Sequence, residues 1–143
     1  MISRKQEGNM NWTKALITGV VGGIIVCAYN FLMHGVIMAN AYTKYSVFSQ
    51  EPANPIWFLV IAVVLGIFGA LLFAKTRGSW AAGLKGGLAF GFWLGMVAFF
   101  FQFYNPLIFK DFPYHMSWCW GGINLIGWMV FGAVAGLIYK KEA

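Results

Sequence analysis

Acidic residues are scarce in this chain, and their scarcity excludes several classes of function. Only four Asp and Glu residues occur among 143, and charged residues make up 10% of the chain, where soluble proteins carry about 25%. All four acids fall outside the long apolar runs, so the pattern offers no paired carboxylates, carboxylate proton relay or acidic cation site within a membrane. Motifs such as CxxC, HExxH or a phosphate-binding loop are also missing. The composition favours a protein without catalytic activity.

Cysteine is equally sparse. The two cysteines, Cys27 and Cys119, fall in the first and the last apolar run. At a helical rise of 1.5 Å per residue, we expect their depths to differ by roughly 10 Å. The Cα atoms of a disulfide must come within about 7 Å of each other. The sequence therefore predicts two free thiols.

Hydrophobic residues are abundant, at 60% of the chain with a mean hydropathy of +0.70. A soluble domain of this size leaves much of its surface in water and has no place for so much apolar area. Four runs, 15–37, 56–74, 83–103 and 116–139, each approach the ~20 residues that cross ~30 Å of hydrocarbon. In lipid their backbone groups must bond within each run. The sequence predicts an all-α, integral membrane four-helix bundle that forms one domain over residues 1–143.

The basic residues predict how these helices are oriented. Two lysines, Lys44 and Lys110, fall on one side of the runs. The other eight basic residues fall on the opposite side: Arg4, Lys5, Lys14, Lys75, Arg77, Lys85, Lys140 and Lys141. Basic residues concentrate in cytoplasmic loops, so both termini are expected in the cytoplasm of a bacterial cell, with Met10 as an alternative start. The same placement explains the net charge of +6 without a nucleic-acid partner.

Two halves of the chain share an order of features. Gly22-Gly23 precede aromatic residues, Tyr29-Asn30 and an outer loop, and Gly86-Gly87 precede aromatic residues, Tyr104-Asn105 and another outer loop. This order predicts two helical hairpins of the same orientation, related by an axis along the membrane normal.

Glycines recur at four-residue spacing, which places them on one face of a helix. The third run carries the longest series, and shorter pairs occur in the first and fourth: Gly83, Gly87, Gly91, Gly95, Gly19, Gly23, Gly132 and Gly136. Small residues allow helix backbones to approach closely in lipid. The spacing fits packing inside the bundle, and it also fits a glycine-zipper interface with another copy or another subunit.

A polar stripe marks the first run, where Cys27, Asn30, His34 and Met38 follow steps of three or four residues. The fourth run begins at a similar depth with three further candidate ligands and contains one amide: His115, Met116, Cys119 and Asn124. Imidazole and thioether groups bind copper or haem iron, so these residues form a candidate polar or ligand site. The alternative is a histidine bonded to a carbonyl or a tyrosine, with amides that bond between helices.

Several segments resemble an uncharacterised family of small four-helix bacterial inner-membrane proteins, known as a domain of unknown function. The resemblance is carried by Asn11-Trp12, by Trp93-Leu94-Gly95-Met96-Val97-Ala98, and by Gly121-Gly122 and Gly132-Ala133-Val134-Ala135-Gly136 in the fourth run. It spans most of the chain. It implies the four-helix fold and a bacterial inner membrane, and it implies no activity or site residue.

Three functions fit these observations. The first is a structural or accessory subunit, or a self-associating membrane component, in a homo-oligomer or a larger complex within the lipid bilayer. The second is an oligomeric carrier of a small molecule or ion, which the parallel repeat favours and the lack of intramembrane acids disfavours. The third is an electron-transfer subunit that binds haem or another metal through His34 and His115.

Overall fold

The computed structural model describes residues 10–140, and all regular elements in this range are helical. Six α-helices, one π-helix and two 3₁₀ turns follow one another: α1 (Trp12–Asn30) continuing as the π-helix Phe31–Ile37, α2 (Ala39–Tyr42), α3 (Pro55–Lys75), a 3₁₀ turn (Arg77–Ser79), α4 (Gly83–Phe101), a 3₁₀ turn (Gln102–Tyr104), α5 (Asn105–Ile108) and α6 (Tyr114–Ile138). Four stretches are long and apolar enough to cross a membrane, namely Trp12–Ile37, Pro55–Lys75, Gly83–Ile108 and Tyr114–Ile138. This confirms the prediction of an all-helical protein with four apolar helices long enough to span a membrane.

Two helices begin where asparagine caps them. Asn11 accepts a hydrogen bond from the backbone N–H of Lys14 at 2.9 Å, so α1 begins at Trp12, ahead of the predicted residue 15. Asn54 accepts from the N–H of Ile56 at 3.0 Å, and Pro55 occupies the first helical position of α3, where its missing N–H costs nothing.

The long helices form two antiparallel hairpins, α1 with α3 and α4 with α6, and α1 also packs against α6. Glycine lets the backbones of each hairpin meet. A Cβ on Gly23 would lie 2.6 Å from the carbonyl oxygen of Ala62, and one on Gly19 would lie 2.5 Å from the Cα of Ile67. In the second hairpin a Cβ on Gly91 would lie 2.8 Å from the Cα of Met129. Any side chain at these positions forces the helices apart.

The remaining glycines of the predicted series differ in what they contact. A Cβ on Gly95 would meet Leu125, and those on Gly87, Gly132 and Gly136 would meet the backbone of the facing helix. Gly83 differs, because a Cβ there would meet nothing within 4 Å, while its φ of +65° is a conformation that favours glycine.

A phenylalanine fills the space between the hairpins. Phe131 of α6 is 1% exposed, and its ring occupies the place that side chains at Gly22 of α1 and Gly69 of α3 would take. Phe73 and Ala135 belong to the same buried core. The centre of the described molecule is therefore occupied by packed side chains.

The antiparallel arrangement creates two chemically different ends. The basic end comprises residues 10–14, 75–83 and 139–140, where α1 and α4 begin and α3 and α6 finish. The aromatic end comprises residues 31–54 and 102–120, with the π-helix, the connections and the start of α6.

Candidate functional site

Five rings from four parts of the chain meet at the aromatic end, and we call them the aromatic cluster: His34, Tyr42, Phe48, Phe112 and Trp120. The indole of Trp120 is central, with ring centroids 5.5 Å from Phe48, 5.4 Å from Phe112 and 6.2 Å from both His34 and Tyr42. Most of these contacts are edge-to-face, the arrangement that aromatic quadrupoles favour. The cluster joins the first span, its connection to α3 and the fourth span into one unit.

Tyr42 is the polar centre of this cluster. Its hydroxyl oxygen accepts a hydrogen bond from the indole Nε1 of Trp120 at 2.8 Å, and the same hydroxyl is hydrogen-bonded to Nδ1 of His34. The sulfur of Met38 lies 3.8 Å from the same hydroxyl. Three polar groups that would otherwise be poorly hydrated satisfy one another here.

The phenol of Tyr42 is neutral at physiological pH. Burial raises its pKa above the usual value of 10.0, the nearby Cys119 raises it further, and the hydrogen bond from Trp120 lowers it. A neutral phenol has a single proton, and Nδ1 of a neutral imidazole is a stronger acceptor than a thioether. The geometry thus favours a Tyr42 proton directed at His34, which leaves the imidazole proton on Nε2.

The π-helix Phe31–Ile37 places His34 within this network. Its closing hydrogen bond runs from the N–H of Met38 to the carbonyl of Met33, five residues back, at 2.9 Å. The wider turn alters the direction of each side chain that follows Asn30. Such insertions in α-helices occur frequently at functional sites.

The side chain of Gln50 stabilises the connection that contains Tyr42. The amide Nε2 of Gln50 donates to the carbonyl oxygens of Phe48 at 2.9 Å, Tyr42 at 3.2 Å and Tyr45 at 3.4 Å. These bonds curl residues 42–50 into a compact loop, and the Phe48 ring then packs against Trp120 of α6.

The predicted ligand residues separate into different environments. His34 and Met38 contact Tyr42, whereas His115 is exposed and its ring lies 5.8 Å from that of Tyr45. Met116 is 1% exposed inside the bundle. A series of ring contacts through the loop connects the two histidines. Among residues 10–140, no three His, Cys, Asp or Glu side chains are grouped so that they could hold a metal ion.

The thiols and amides of the predicted site differ in exposure. Cys27 is half-buried and Cys119 is exposed, and both are free. Asn30 and Asn124 are half-buried. The amide oxygen of Asn30 would lie 4.0 Å from a Cβ on Gly127, so Asn30 faces α6. The polar link between these helices is made by the neighbouring Tyr29, whose hydroxyl donates to the carbonyl of Ile123 at 3.1 Å.

Sequence reasoning missed Tyr42 and Trp120 as site residues. Both read as members of the aromatic belt at a membrane interface. Their hydrogen bond joins positions 78 residues apart, and no local spacing signals such a contact. The aromatic richness of the region was the available clue.

The chain matches no protein-family model, no curated protein and no solved structure. The resemblance to small four-helix inner-membrane proteins stays a prediction. The residues of the aromatic cluster provide neutral hydrogen bonding and ring packing, which hold a connecting loop against two spans.

Proposed function

We propose that this protein is a rigid accessory component of a bacterial inner membrane, which associates with other membrane subunits through its aromatic end. The observation that carries the proposal is the hydrogen-bonded centre at Tyr42, which ties the loop 38–50 to α6 through Trp120. A loop held this firmly gives a surface of fixed shape, and preorganised surfaces lose less entropy when they bind.

The glycine contacts support the rigid part of this proposal. Gly19, Gly23 and Gly91 meet the backbone of the facing helix within the same chain. These faces are therefore occupied, and an association with another chain requires a different surface. The aromatic end offers exposed interfacial side chains for that role, including Tyr114 and Trp118.

The proposal includes the orientation and an internal repeat. Basic side chains at one end favour both termini in the cytoplasm, with the aromatic end on the outer side.

The pairing of Gly19 and Gly23 with α3 resembles that of Gly87 and Gly91 with α6, and the two sets are 68 residues apart along the chain (87 − 19 and 91 − 23). This shared pattern of glycine contacts supports two related hairpins. Its offset along the chain differs from the offset between Gly22-Gly23 and Gly86-Gly87 in the sequence alignment.

The experiment is native mass spectrometry of the tagged protein, released gently from its own membrane. We expect a stoichiometric complex, either with larger subunits or with a fixed number of copies of this chain. Tyr42→Phe is expected to reduce the complex, while Tyr104→Phe, which removes an exposed hydroxyl, serves as the matched control. A wild-type protein that leaves the membrane as a single chain would contradict the proposal. Bound haem or metal would instead support the electron-transfer alternative.

A further inference from the structure

The basic end contains a buried cation, Arg77. This side chain is 7% exposed. Its Nε donates to the carbonyl of Tyr139 at 3.2 Å, and its Nη1 donates to the carbonyls of Trp80 and Ala81 at 3.1 Å each. The third nitrogen, Nη2, is buried and has no hydrogen-bond partner among residues 10–140. A deeply buried arginine normally has a hydrogen-bond partner for each of its donors. The guanidinium of Arg77 can therefore donate to one more acceptor.

The charge around Arg77 is not balanced by acids within residues 10–140. The two acids in this range, Glu51 and Asp111, belong to connections at the aromatic end. The described cations other than Lys44 and Lys110 lie at the basic end or, for Lys85, in the first turn of α4 next to it: Lys14, Lys75, Arg77, Lys85 and Lys140. Orientation by positive charge accounts for exposed lysines, but it does not require a guanidinium to be buried.

Aromatic side chains shape the surroundings of this cation. The Cζ of Arg77 lies 5.1 Å from the ring centroid of Phe73, and that ring contacts Tyr139. The Nζ of Lys14 lies 5.9 Å from the centroid of the Tyr139 ring. Lys14 and Arg77 thus flank the same tyrosine, and a single anion bound beside Tyr139 would be attracted by both charges.

The backbone near Arg77 is open at two glycines. A Cβ on Gly78 or on Gly83 would meet no atom within 4 Å. The indole of Trp80, in the same turn, is held by a hydrogen bond from its Nε1 to the hydroxyl of Thr76 at 2.9 Å. Because Nη2 is covered, an entering group must displace side chains at this turn, and the two glycines leave room for that movement.

We infer that the basic end binds the phosphate group of an anionic phospholipid, with Nη2 of Arg77 as hydrogen-bond donor and Lys14 as the second positive charge. Guanidinium groups bind phosphate oxygens through short, charge-assisted hydrogen bonds. Basic pockets between helices at the membrane surface suit anionic headgroups, and the acyl chains would lie along the apolar helices. The inference is independent of the association proposed for the aromatic end.

The test titrates the purified protein, in a neutral detergent, with phosphatidylglycerol and separately with phosphatidylcholine of the same acyl chains. Retained lipid is counted by native mass spectrometry. We expect the anionic lipid to bind at least about tenfold more tightly, and Arg77→Gln to abolish this preference. Lys75→Gln is the matched control, because it removes an exposed charge two residues away. We expect it to weaken binding by no more than the roughly fivefold effect of one basic side chain near an anionic surface.

Two further variants and a soluble anion complete the test. Lys14→Gln is expected to weaken binding more than Lys75→Gln. Arg77→Lys keeps the charge and loses the planar donor, so it also tests the site if Arg77→Gln does not fold. Equal binding of the two lipids, or wild-type binding by Arg77→Lys, would overturn the inference. Inorganic phosphate that displaces the lipid only at high concentration supports a lipid site, whereas saturable phosphate binding without lipid preference would assign the site to free phosphate.

Discussion

The two ends of the molecule treat buried polar groups in opposite ways. At the aromatic end, Tyr42, His34 and Trp120 are neutral partners that satisfy one another. At the basic end, Arg77 is charged, bonds three backbone carbonyls and keeps one buried donor without a partner in the described part of the chain. A neutral network can close on itself, whereas a buried charge always requires compensation. The first end is therefore suited to holding shape, and the second to attracting an anion.

Removal of Arg77 should give the largest loss of stability. Arg77→Ala takes away the donor for three carbonyls, and hydrogen bonds to charged groups contribute about 1.5–3 kcal/mol each without being additive. We expect a loss of roughly 2–4 kcal/mol in the free energy of unfolding, measured by denaturant titration in mixed micelles. Lys75→Ala is the control and should change it by less than about 0.5 kcal/mol. Equal effects of the two variants would show that Arg77 behaves as a surface charge.

The hydroxyl of Tyr42 should give the next largest effect. Tyr42→Phe keeps the ring but leaves the Trp120 indole N–H and His34 Nδ1 without their partner. The expected loss is about 1–3 kcal/mol in the free energy of unfolding, in the same assay. Combining it with Trp120→Phe should reveal a coupling of about 0.5–3 kcal/mol. Additive effects would mean that the two groups act independently.

Replacement of Gln50 should lower the stability of the loop formed by residues 42–50. Gln50→Ala removes a donor from three carbonyls at an exposed site, where water replaces the lost bonds. We therefore expect a loss of about 0.5–1 kcal/mol, below that of Tyr42→Phe. Hydrogen exchange should show faster exchange in residues 42–50 and no change in the 3₁₀ turn Arg77–Ser79. Faster exchange at both ends would indicate a global effect.

Alkaline pH should produce the smallest difference in stability between the wild type and a variant. Burial raises the pKa of Tyr42 in the folded protein above the usual 10.0, so folding favours the protonated phenol. The stability that this provides is fully present below the unfolded pKa and is lost as pH rises through the folded value. Melting temperatures between pH 8 and 11 should therefore fall more steeply in the wild type than in Tyr42→Phe. Tyr104→Phe, at an exposed position, should follow the wild type.

The spans were predictable because length and hydropathy are local properties. Residues such as Ile61 and Val97 lie in apolar runs of about 20 residues, and such a run predicts a membrane-spanning helix whatever its neighbours are. The π-helix Phe31–Ile37 was not predicted, because its composition, FLMHGVI, also suits an α-helix. The burial of Arg77 was not predicted either, because its position beside Lys75 matches an ordinary cytoplasmic turn. His34 was identified as a site residue, but its partners depend on contacts between distant parts of the chain.

The position of Tyr139 in the chain determines when its contacts can form during synthesis. Its hydroxyl accepts a hydrogen bond from the N–H of Asn11, and its carbonyl accepts one from Arg77, so the final turn of α6 is tied to the beginning of α1 and to the turn after α3. Tyr139 follows Asn11 by 128 positions in the chain, so it is synthesised much later. The contact between Arg77 and Tyr139 can therefore form only after the whole of α6 has been synthesised. The pairing of α1 with α3 does not depend on α6, so the contacts of Tyr139 can be added to a hairpin that already exists.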